Sequence, residues 1–96
     1  MSIARWIPGE GPRDKLLERG ASTLSDAELL AVLLHTGHRD CSALELARKL
    51  LAHFDGISGL MRAAQGSVLG YPGVGPAKYS RLCAAMELAC RQALQK

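Results

Sequence analysis

The chain has 96 residues, a net charge of +3, and 48% hydrophobic but only 4% aromatic residues. That length suits one domain with a core of Leu, Ala, Val and Met, a composition that favours helices. No run approaches the roughly 20 apolar residues of a membrane span, and the first residues lack the apolar run of a signal peptide, so a membrane role is not expected and a cytoplasmic location is.

Residues 1–12 contain Pro8, Gly9, Gly11 and Pro12 and read as an extended arm, with Trp6 as its anchor, ahead of a helical domain over residues 13–96. A short helix is predicted from Pro12, whose fixed φ suits a first turn, to Gly20. In LSDAELLAVLLHTG, Ser25 and Glu28 have the spacing of a capping box and Gly37 reads as the stop. Leu29, Leu30, Val32, Leu33 and Leu34 cover nearly the whole circumference, which predicts a buried central helix in which Leu33 is a core residue.

CSALELARKLLAHFDG repeats that grammar, with Ser42 as cap, Glu45 completing the box and Gly56 as terminator. Leu44, Ala47, Leu51 and Phe54 make its predicted core stripe, and Arg48 and Lys49 turn outward. A short helix is expected around residues 58–64, and one or two turns in QGSVLGYP. A final helix runs from Pro76 toward Gln95, with Tyr79, Leu82, Cys83, Met86, Cys90 and Ala93 on one face. No segment alternates as a strand does. The fold class is therefore all-α, with five or six short helices. A faint repeat at an offset of 33 residues sets Ser42 against Gly75 and ALELAR against PAKYSR, which is either an internal duplication or coincidence among helical hairpins.

Charge is unevenly placed. Residues 1–55 carry seven Lys/Arg against eight Asp/Glu, whereas residues 56–96 carry five against one. The positive half contains YPGVGPAKYSR. Two glycines around Val74 permit positive φ and bare amides, and the first turn of the following helix leaves further N–H groups without partners. Such amides form a concavity for a phosphate oxygen. Lys78 and Arg81, one turn apart, supply mobile positive charge behind it. Both side chains are expected at the surface without a structural role, since Lys78 has no acidic residue at i±3 or i±4. The candidate DNA-contacting set is Gly73, Val74, Gly75, Ala77, Lys78 and Arg81, reading backbone rather than bases. The competing explanation is a helix–helix turn that needs glycine for close packing.

Other chemistry is thinly represented. His35, His38 and Cys41, with His53 or Asp40 as a fourth donor, match no zinc spacing, and Ser42 is explained as a cap. Cys41, Cys83 and Cys90 read as reduced thiols without a pair of reasonable spacing. Neither Cys41 nor Ser42 has an orienting acid or oxyanion hole, so no catalysis and no cofactor are expected.

LGYPGVGPAKYSRL resembles the helix-hairpin-helix element of DNA repair and recombination proteins, whose hairpin binds the nucleic-acid backbone. GPRDKLLERGASTLSDAELLAVLLHTG, followed in order by SALELARKLL and GVGPAK, resembles the N-terminal region of the RadC-like family of bacterial proteins linked to DNA repair. In that family a helical module precedes a metalloprotease-like JAB/MPN domain with a His-x-His…Asp zinc motif, to which no segment here corresponds. The family usually has acidic residues and a serine cap before the hairpin, where this chain has Ala64, Gln65, Gly66 and Ser67. The resemblance implies a module that binds duplex, single-stranded or branched DNA without sequence preference, and the lack of a metal-ligand quartet or a suitably spaced cysteine pair predicts a monomer. Its alternative is a protein-interaction module that positions a metalloprotease-like domain or a partner helix.

Overall fold

A computed structural model describes residues 11–95, so the arm expected over residues 1–12 lies almost wholly outside them. The architecture is all-helical: α1 (Pro12–Arg19), α2 (Asp26–Leu34), α3 (Ala43–His53), α4 (Gly56–Arg62), α5 (Gln65–Leu69) and α6 (Gly75–Gln95). A single 3₁₀ turn, Ala21–Thr23, joins α1 to α2. No helix among the described residues is long and apolar enough to cross a membrane.

Both capping boxes form. Ser25 Oγ accepts from Glu28 N–H at 3.2 Å while Ser25 N–H donates to the Glu28 carboxylate at 2.8 Å. Ser42 and Glu45 repeat this at 3.1 and 2.7 Å. Each box satisfies two N–H groups that a helix start would otherwise leave unpaired. Lys15 on α1 also reaches Glu28 at 3.3 Å, fastening α1 to the start of α2.

The ends of these helices differ from the predicted stops. α2 closes with His35, which takes φ 73° itself, and Gly37 sits two residues beyond. Gly37 is needed for packing instead: a Cβ there would overlap the carbonyl oxygen of Cys41. α3 ends at His53 with Phe54 as its cap, while Asp55 (φ 63°) and Gly56 (φ 89°) turn the chain into α4.

α2 and α3 form the most extensive helix pair in the fold, and α6 lies against α2. Their buried side chains are Leu30, Ala31 and Leu34 from α2, Ala43, Leu46, Ala47 and Leu50 from α3, and Leu82 from α6. Leu60, Val68 and Val74 complete the cluster. Leu33 is not in it. It is 38% exposed, and the expectation failed because a helix apolar all round carries no signal for which side faces its neighbours. The stripe on α3 is likewise rotated: Leu46 and Leu50 are buried, with Leu44, Leu51 and Phe54 packed at the edge. Arg48 and Lys49 are exposed, as their positions predict. On α6, Tyr79, Cys83 and Met86 are half-buried, but residues 87–95 are all exposed as the helix leaves the globule.

Candidate nucleic-acid interface

Two turns meet, with His38 of one against Gly73 of the other. The first, residues 35–42, joins α2 to α3; the second, residues 70–74, joins α5 to α6. Within the first, His38 and Cys41 exchange both backbone hydrogen bonds at 2.8 Å, leaving Arg39 (φ 52°) and Asp40 exposed at the tip. The second is preceded by α5, a five-residue helix whose N-cap, Ala64, offers no side-chain acceptor.

In the second turn, Val74 N–H donates to the Tyr71 carbonyl at 3.1 Å and the Val74 side chain, 3% exposed, plugs into the core. That plug fixes the turn. Gly73 (φ 95°) and Gly75 (φ 65°) on either side adopt the left-handed backbone that glycine accepts without strain. α6 then begins at Gly75. The N–H groups of Gly75 and Ala77 have no carbonyl one turn behind them, and Pro76 carries none. No acidic residue occurs in this first turn, and between residues 56 and 86 the charged side chains are Arg62, Lys78 and Arg81 alone.

Arg81 is at the surface as its spacing predicts and Lys78 is not, and both make structural contacts that were not expected. Lys78 is half-buried and its ammonium donates to the Gly37 carbonyl at 3.2 Å; Arg81 is exposed and reaches the Leu34 carbonyl at a longer 3.4 Å. Arg81 thus holds the last carbonyl of α2, where positive charge also meets the negative end of the helix dipole, and Lys78 holds a carbonyl of the loop just beyond it. Donors remain on each: an ammonium has three N–H groups and a guanidinium five. The structure thus assembles Gly73, Val74, Gly75, Ala77, Lys78 and Arg81 at one corner, and adds the first turn to it.

Sequence reasoning left His38 and Gly37 out of that set. The side chain of His38 packs against Gly73, where an added Cβ would come within 2.6 Å of the His38 Cβ and 2.8 Å of its ring. The 33-residue offset was the available signal, since it pairs His38 with Tyr71 as well as Ser42 with Gly75. His38 and Tyr71 line one cleft of about 340 Å³ with Cys41, Leu46, Lys49 and Pro72. His35, His38 and Cys41 do not converge: among the described residues no three His, Cys, Asp or Glu side chains form a group able to hold a metal ion. Cys41, Cys83 and Cys90 are free thiols.

A separate apolar groove of about 140 Å³ runs between α2, α4 and α6, bounded by Leu29, Leu33, Ile57, Met61, Ala85 and Met86. It shares no lining residue with the cleft.

The chain is 55% identical over 93 residues to UPF0758 protein Sputw3181_0338 of Shewanella sp. (strain W3-18-1), covering 97% of this chain and 41% of that protein. It is 56% identical over 93 residues to a UPF0758 protein of Shewanella oneidensis, with the same coverage of each. The chain spans about two-fifths of the length of the curated relatives it matches. No solved structure matches it. Residues 3–80, which include the capping boxes, both turns and Lys78, match the family described as UPF0758 N-terminal, and the chain belongs to that family.

Proposed function

We propose that this chain is a DNA-binding module, without catalytic activity of its own, that grips the phosphate backbone through the turn opening α6. One observation carries the reading. Gly73 and Gly75 place a bare backbone at the start of a 21-residue helix whose leftover amides, at Gly75 and Ala77, are followed by Lys78 and Arg81 and by no acid before Glu87. Amides, helix dipole and cations all favour an anion at that corner. The resemblance of this stretch to the helix-hairpin-helix element, and of the chain to the RadC-like proteins, points the same way. Contacts of this type read the backbone, so the module binds DNA without sequence preference.

The test is a salt series. Fluorescence-anisotropy titrations of a labelled oligonucleotide at several salt concentrations give the slope of log affinity against log salt. Lys78→Ala with Arg81→Ala should lower that slope by roughly two, one for each phosphate no longer neutralised, and equally for unrelated sequences. The measurement is made where circular dichroism shows the variant folded, because the two side chains also hold the end of α2 and the loop just beyond it. Gly75→Val attacks the same corner through the backbone, since a β-branched residue resists φ 65° and shields the amides. An unchanged slope and affinity in both variants overturns the proposal.

A second reading, a protein-interaction module, is favoured by the apolar groove. Leu33, Ile57 and Met61 on its rim are each more than a third exposed, so apolar side chains gathered round one groove are open to an apolar partner. An affinity that barely responds to salt would favour this alternative.

A further inference from the structure

The cleft between the two turns has a shape and lining that phosphate binding at α6 does not use. Its volume, about 340 Å³, falls within the range of small-molecule sites. It is lined by Tyr71 and Pro72 of the second turn, Leu46 and Lys49 of α3, and His38 and Cys41 of the first turn. Tyr71 is held in place by aromatic neighbours: its ring centroid lies 5.1 Å from that of His53 and 6.2 Å from that of Phe54, both tilted contacts. Lys49 is exposed and brings a positive charge to the cleft. Asp40 and Glu45, the acids nearest in sequence, are exposed too, and Glu45 is engaged in the cap of α3.

We propose that this cleft takes one unpaired nucleobase of the DNA strand whose phosphate sits at the start of α6. The inference rests on the backbone-binding reading and specifies its substrate: DNA with single-stranded character, such as an overhang, gap or branch. Three features support it. The cleft adjoins the phosphate corner through the continuous chain from Tyr71 and Pro72 to Gly73, and His38 lies against both. The half-buried Tyr71 ring and the exposed Pro72 offer apolar surface to the face of any base, as in a sequence-tolerant site. A base stacked within a duplex cannot enter a concave site without leaving its stack, at a cost that an unpaired nucleotide does not bear.

The experiment compares a single-stranded oligonucleotide, a blunt duplex, and a duplex with an unpaired overhang, in the full chain with Cys83→Ser and Cys90→Ser. We expect the overhang and the single strand to bind more tightly than the blunt duplex. Tyr71→Leu should abolish that difference, lowering single-strand affinity about ten-fold and leaving blunt-duplex affinity unchanged. Because Tyr71 also packs on His53 and Phe54, a second measurement leaves it intact. Alkylating Cys41 with N-ethylmaleimide fills the cleft and should erase the same preference, and bound single strand should slow that alkylation where blunt duplex does not. Equal affinity for all three DNAs, with binding still lost in Gly75→Val, overturns this inference alone. Absence of binding to every DNA overturns both this inference and the reading on which it rests.

Discussion

The ammonium of Lys78 donates to the carbonyl of Gly37 at 3.2 Å, joining residues 41 apart in sequence and clamping the first turn of α6 onto the loop that leaves α2. A side chain chosen for its charge toward DNA is thereby also a fastening within the protein. Lys78→Ala should cost about 1 kcal/mol, the net worth of one hydrogen bond from a partly exposed charged donor. For a domain of this size that lowers the thermal midpoint by several degrees, which calorimetry resolves. The sequence alone predicts an unmoved midpoint; the hydrogen bond predicts a drop.

The core assigns unequal roles to adjacent leucines. Leu34 is fully buried, whereas Leu33 is 38% exposed at the groove. Leu34→Ala should therefore cost about 2–5 kcal/mol, cavity included, and Leu33→Ala less than ~1 kcal/mol. Urea denaturation of the two variants side by side decides this, and a larger loss at Leu33 would contradict the packing described.

Two glycines at the two turns should lose very different amounts of stability on change to alanine. At Gly75 a Cβ meets nothing within 4 Å, so Gly75→Ala carries only the strain of φ 65°, roughly 1–2 kcal/mol. At Gly37 the new carbon would strike the Cys41 carbonyl, backbone that cannot swing aside. Gly37→Ala should lose more than ~3 kcal/mol or fail to fold, although φ at this glycine is not positive. Soluble yield and urea midpoint report the contrast.

The start of α2 should be acid-sensitive. The backbone N–H of Ser25 holds the Glu28 carboxyl below its ordinary value, burial opposes this, and Lys15 assists. A depressed carboxylate contributes stability that is complete above its unfolded pKa and is lost as pH falls through the folded one. Stability should thus decline as pH drops below about 4.5, and Glu28→Gln, which keeps the capping acceptor but does not titrate, should flatten that part of the curve. Urea midpoints from pH 7 to pH 3 test the difference. Ser25→Ala should cost about 1 kcal/mol at neutral pH.

What the sequence made legible was local. Ser25 with Glu28 and Ser42 with Glu45 announced the starts of α2 and α3, because a capping box is closed by residues three apart. Pro12 at the start of α1 and the glycines around Val74 were equally readable, each set by its own backbone. The buried side of α2 was not. Five large apolar residues around nine positions define no face, and only the neighbours choose Leu30 and Leu34 over Leu33. The stops also escaped, because His35 and Phe54 closed helices whose predicted terminators were glycines. At the candidate interface the glycines and cations were visible, but the bonds from Lys78 to Gly37 and from Arg81 to Leu34 span 41 and 47 residues and leave no local trace.

The exposed last turns of α6 give the molecule a built-in optical handle. Cys90 is exposed, whereas Cys41 and Cys83 are half-buried, so a maleimide dye should react with it first. Cys90 lies 15 residues beyond Gly75 on one uninterrupted helix, a separation of about 22 Å. A fluorophore there sits clear of the turn itself, and no loop intervenes to let its attachment point swing independently. Its depolarisation should follow the tumbling of the whole particle, so that a ligand captured at one end of the rod is registered as slowed rotation at the other.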